Sequence, residues 1–133
     1  MDARLIETAQ CCRDGAESNT MTFPQIVGAL MSVGFEGYAI DFRRRTATYY
    51  LPDGDSTVLP TRADETPIAQ TLDTKAVRSA IREAQQLAPG YSYRGFCAKV
   101  MAAGCAGYAV SFAGRRAVYI GRAGEVHTEH FPQ

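Results

Sequence analysis

Apolar residues recur at helical spacing in several stretches of the chain and at alternate positions in several shorter ones. Phe23, Ile26, Val27, Leu30 and Met31 make one stripe, opened by Thr22 and Gln25 as a capping box with Pro24 in the first turn, and closed by Gly34. Tyr93, Phe96, Cys97, Val100 and Met101 make another, capped by Ser92 without a Gln partner and ended by Gly104. Two further amphipathic segments carry Leu5, Ile6, Ala9 and Cys12, and Val77, Ala80, Ile81 and Ala84; the latter is capped by Asp73 or Thr74 and stopped by Pro89-Gly90. After each stripe, strand alternation puts Tyr38, Ile40 and Phe42 on one face and Tyr108, Val110 and Phe112 on the matching one. Turns at Arg43 to Arg45 and at Ala113-Gly114 lead into second strands at Thr46 to Leu51 and Arg116 to Gly121. Pro52-Asp53-Gly54-Asp55 and Arg122-Ala123-Gly124-Glu125 then turn the chain into third strands at Ser56 to Leu59 and Val126 to His130.

The parallel between these runs extends to identity. At an offset of 70 positions, residues 21–60 align with 91–130 without a gap and ten pairs are identical, among them Gly37 with Gly107, Tyr38 with Tyr108 and Tyr49 with Tyr119. Chance would give about two or three. The pattern predicts an α+β fold: a duplicated α-α-β-β-β unit, about 2–60 and 73–131, joined by a surface connector at 61–72 that holds at most one helical turn. Each unit is too small to bury much alone, so a single domain over 1–133 is expected. Its antiparallel sheet carries helices packed on one face about a pseudo-twofold axis. Leu30, Met31, Ile40, Phe42, Val100, Met101, Val110 and Phe112 are expected to share the core.

Composition sharpens this picture mainly by exclusion. The 133 residues are 46% hydrophobic, and 14 basic side chains balance 14 acidic ones, which argues against a nucleic-acid or anionic-membrane partner. The basic turn Arg43-Arg44-Arg45, with Arg115-Arg116 matching it and tyrosines nearby, is only part of a single-strand platform, and Asp41, Asp53 and Asp55 oppose a polyanion. Cys11, Cys12, Cys97 and Cys105 form no C-x-x-C pair and read as reduced, mostly buried thiols, so no zinc site or disulfide framework is expected. A charged N-terminus and the lack of a long apolar run predict a cytoplasmic protein, the host cytoplasm included, with no membrane span.

The segment Gly34-Phe35-Glu36-Gly37-Tyr38-Ala39-Ile40-Asp41-Phe42, the run Thr46-Ala47-Thr48-Tyr49-Tyr50-Leu51-Pro52-Asp53-Gly54-Asp55, and Gly104-Cys105-Ala106-Gly107-Tyr108 with Glu125-Val126-His127-Thr128-Glu129-His130-Phe131 carry a likeness. On these residues the chain resembles the uncharacterised bacterial family numbered 1398 among domains of unknown function, whose members are sometimes labelled phage envelope protein. The resemblance spans most of the chain. It implies a link to prophage genes and brings no activity, substrate or catalytic residue with it.

Both histidines fall in His127-Thr128-Glu129-His130. On a strand, His127 and Glu129 share a face while His130 points to the other face or to solvent, which is poor spacing for a metal; no metal or other cofactor is expected. Two function classes follow. The favoured one is a non-enzymatic interaction or assembly module, with a protein partner or a second copy of the chain on its sheet. The alternative is a small ligand-binding protein or enzyme that holds a small molecule between the repeats, with His127, Glu129, His130 and Tyr108 as the ligand-binding residues and the catalytic residues unassigned.

Overall fold

The computed structural model of the protein describes residues 1–62 and 65–132. Helices α1 (Ala3–Glu17) and α2 (Phe23–Ser32) precede strands β1 (Gly37–Asp41), β2 (Thr46–Tyr50) and β3 (Ser56–Pro60). The same order follows in α3 (Thr74–Gln86), α4 (Tyr93–Ala102), β4 (Cys105–Ser111), β5 (Arg116–Gly121) and β6 (Val126–His130). All six strands form one antiparallel sheet in the order β3-β2-β1-β4-β5-β6. The fold is therefore α+β. The helix starts are set by local chemistry. Thr22 and Gln25 close a reciprocal capping box on α2, Ser92 accepts from the Gly95 N–H on α4, and Asp73 accepts from the Ala76 N–H on α3.

The two hairpin units meet at β1 and β4, whose register is centred on Ala39 opposite Ala109. Two further bonds close this seam at its ends, from Phe42 N–H to the Ala106 carbonyl and from Phe112 N–H to the Glu36 carbonyl, each 3.0 Å. Gly37 and Gly107 make the approach feasible: a Cβ on the first would overlap the Val110 carbonyl oxygen and one on the second the Ile40 carbonyl oxygen. Strand alternation then sorts the two faces. Tyr38, Ile40, Ala47, Tyr49, Leu59, Tyr108, Val110, Ala117 and Tyr119 are buried on the face that the helices cover, together with Leu30, Val77 and Val100 from those helices. On the other face Tyr50, Val58, Ile120 and Val126 are exposed.

Several expectations are corrected. Met31 was placed in the core and is 54% exposed, whereas Met101 is 3% exposed. The connector explains the difference: it runs along the second half, where the Ala69 N–H reaches the Met101 carbonyl and the Asp73 N–H the Ala103 carbonyl, and so it covers α4. Its described residues hold no helical turn, and Leu72 is buried, with its N–H donated to Glu125 Oε2 at 2.9 Å. Connector residues 63 and 64 lie outside the described residues. Phe42 is half-buried, against Tyr108 at 6.0 Å between ring centroids. Helix α3 stops ahead of Pro89-Gly90 because Leu87 already takes a left-handed conformation, with φ 47°.

Substitution at the seam gives a directional test. Gly37→Ala and Gly107→Ala should each destabilise the protein by about 1–3 kcal/mol through backbone overlap. Gly28→Ala, in the interior of α2 with nothing within 4 Å of its added methyl, should stabilise it by about 0.5–1 kcal/mol. Urea denaturation midpoints of the three variants check the signs.

Candidate ligand-binding cavity

Period-two alternation places one tyrosine per strand on the covered face of the four central strands. Tyr38 lies directly opposite Tyr49, and Tyr108 directly opposite Tyr119, while the seam register sets Tyr38 and Tyr108 diagonally. The result is a row of rings, with centroids 5.7 Å apart for Tyr49 and Tyr38, 6.4 Å for Tyr38 and Tyr108, and 5.2 Å for Tyr108 and Tyr119. Phe96 from α4 stands edge-on to both Tyr108 and Tyr119. Tyr93 from the start of α4 joins its hydroxyl to that of Tyr108 at 2.7 Å.

Helix residues Cys12, Ile26, Ile81, Ala84 and Phe96 roof this row without filling the space, and they leave a cavity of about 330 Å³. Arg13, Glu17, Arg45, Arg62, Arg94, Glu129 and His130 also border it. Two of these side chains are tied to the fold: Arg13 donates to the Pro60 carbonyl at 3.1 Å, and Glu17 accepts the Arg62 backbone N–H at 2.9 Å. At one side Phe131 packs edge-on against Phe23 with centroids 5.5 Å apart, so the end of β6 touches the first helix pair.

Loss of solvent is the largest influence on every ionisable group in the floor. It holds the phenols of Tyr38, Tyr93 and Tyr108 well above the ordinary tyrosine range, and those of Tyr49 and Tyr119 likewise above it, with the neighbouring Cys12 and Cys105 as the next cause for those two. Burial also pushes the Cys12 and Cys105 thiols up to about 11, so both are protonated near neutral pH and poor nucleophiles.

The four sequence-proposed ligand-binding residues are not brought to one point. His127 sits opposite Tyr119 in the ladder, its ring 6.4 Å away, and its Nε2 lies 3.1 Å from Glu129 Oε2. The pair shares one face, as the alternation required, yet His127 does not line the cavity, whereas Glu129 and Tyr108 do. His130 has the register of the outer face and is exposed; placed at the very end of β6, it also borders the cavity beside Phe131. Among the described residues, no group of three or more His, Cys, Asp or Glu side chains is placed to hold a metal ion, and no helix is long and apolar enough to cross a membrane. Tyr49 and Tyr119 were not among the ligand-binding residues expected from the sequence. The signal for the cavity was their shared register with Tyr38 and Tyr108, beside the small residues Ala47 and Ala117.

Compared with known proteins, the chain matches no family model and no curated protein.

The buried phenols and thiols fix the direction of the alkaline response. Their protonated forms belong to the folded state, so the stability they confer is complete below the unfolded values, roughly pH 8.5 for thiols and 10 for phenols, and is lost as pH rises past these toward the folded values. Denaturation midpoints should stay level from about pH 7 to 8 and fall steeply above about pH 10. Ultraviolet titration of tyrosinate should show at least five of the seven tyrosines ionising only with unfolding.

Proposed function

We propose that the protein is a non-enzymatic binding protein that takes a small apolar molecule into the space between its helices and its sheet. The observation that carries this reading is the cavity of about 330 Å³ walled by tyrosines, phenylalanines and aliphatic side chains. That volume falls in the range of small-molecule sites. The resemblance to the family numbered 1398 assigns no chemistry, so the reading rests on the cavity. Catalysis has less support, because the buried thiols are held protonated and His127 does not line the cavity.

Biphenyl is a suitable probe, being flat, uncharged and free of polar atoms. Calorimetric titration should give a dissociation constant on the order of 10 μM. Ala84→Phe, which fills the cavity from α3, should abolish binding while circular dichroism keeps its native form. Absence of binding, or binding unchanged by Ala84→Phe, would overturn the proposal.

A second reading, a second copy of the chain or a protein partner on the outer face of the sheet, draws on exposed Val58 and Val126, at 57% and 56%, with Tyr50 and Ile120 beside them. Light scattering after size-exclusion chromatography should then show a dimer of the purified chain that Val58→Lys with Ile120→Lys converts to monomer. A monomer at about 100 μM would reject self-association, since contacts weaker than that carry less than about 6 kcal/mol.

A further inference from the structure

Two phenols in the cavity carry a hydrogen-bonding demand that the protein does not meet. Tyr49 and Tyr119 are 3% and 6% exposed, and both line the cavity. Tyr93 and Tyr108 satisfy each other, but the hydroxyls of Tyr49 and Tyr119 have no hydrogen-bond partner among the described residues. No fully buried side-chain oxygen or nitrogen among those residues lacks a partner, so each of these two hydroxyls keeps contact with the open space of the cavity. A neutral phenol both donates and accepts, so each can pair with a polar group that enters the cavity.

Their placement specifies the shape of whatever would pair with them. Tyr49 and Tyr119 occupy the same position in the two halves, at the outer ends of the four-ring row. They stand three strand spacings apart, roughly 14 Å. Between them, each outer ring is tilted by 30° from its inner neighbour while the two inner rings meet edge-on at 71°, so the floor is aromatic along its length without being one flat face. Walls of this kind solvate no full charge. Of the charged side chains that border the cavity, Arg45, Arg62 and Arg94 are exposed, Arg13 donates to the Pro60 carbonyl, Glu17 accepts the Arg62 N–H and Glu129 pairs with His127, so the charges are held outside the apolar interior.

On the premise that the cavity is a binding site, we infer that it takes an uncharged, elongated and largely apolar molecule with a hydrogen-bonding group at each end, one for Tyr49 and one for Tyr119. The inner rings of Tyr38 and Tyr108 give apolar contact beneath its middle. The molecule that matches both ends spans the two halves of the chain.

Three probes of one skeleton test this: biphenyl, biphenyl with a para hydroxyl at each end, and biphenyl with a para carboxylate at each end. The diol should bind roughly 3- to 10-fold more tightly than biphenyl for each hydrogen bond it gains, and the dicarboxylate more weakly than either. Tyr49→Phe and Tyr119→Phe remove only the two hydroxyls, and melting temperatures within about 3 °C of the parent confirm that the fold survives. Each variant should cost the diol roughly 3- to 10-fold and leave biphenyl within about twofold. Equal binding of diol and biphenyl, or tighter binding of the dicarboxylate, overturns the inference while leaving the cavity as a binding site. Loss of diol and biphenyl affinity together in the Phe variants also overturns it. Failure of both biphenyl and the diol to bind the parent protein overturns the binding-site reading itself.

Discussion

Where β1 runs beside β4, Gly37 lies under the Val110 carbonyl and Gly107 under the Ile40 carbonyl, with no room at either for a side chain. The rest of the molecule depends on this close contact. It joins two three-stranded hairpin units into one sheet of six and brings Tyr38 within 6.4 Å of Tyr108. It also lets each half contribute a ring to the other, Phe112 onto Tyr38 at 6.2 Å and Phe42 onto Tyr108 at 6.0 Å. Wider separation of these strands would give each half a tyrosine pair of its own and no common floor. A backbone approach at the centre of the sheet therefore sets the length of the aromatic surface.

Much of the fold was legible in the chain because local chemistry specifies it. The capping box at Thr22 and Gln25, the cap at Ser92 and the alternation through Tyr38 and Tyr108 act over a few residues, and the elements form where those signals put them. Met31 defeated the same reasoning, because its burial is decided by a distant segment: the connector that shields Met101 covers α4, and Met31 on α2 stays exposed. Periodicity tells which face of a helix is apolar. It does not tell whether another part of the chain will lie on it.

The cavity was harder to read for a related reason. A tyrosine pointing into a packed core and one pointing into open space have the same strand register, and only the size of the opposing residues separates them. Ala47, Ala84 and Ala117 are too small to fill the gap left between helices and sheet. The histidines attracted attention because imidazole and carboxylate occur together, yet Tyr119 separates His127 from the interior and the pair sits at the outermost strand. Residue type alone pointed to the edge, and three-dimensional packing points to the centre.

The seam also imposes an order of events on a growing chain. Ala39 and Ala109, paired across the seam, lie 70 residues apart in the chain, so at a synthesis rate of 5–20 residues per second β1 leaves the ribosome roughly 4 to 14 s before its partner. During that interval the first hairpin unit presents an unpaired strand edge, with Tyr38 and Ile40 beside it and glycine at its start. Such an edge accepts any strand of matching register, including the same strand of a neighbouring nascent chain. Close-packed ribosomes on one messenger would hold many such edges together at high local concentration. The yield of folded protein is thus sensitive to the rate at which residues 42–111 are translated, with slow decoding there prolonging the exposure of β1.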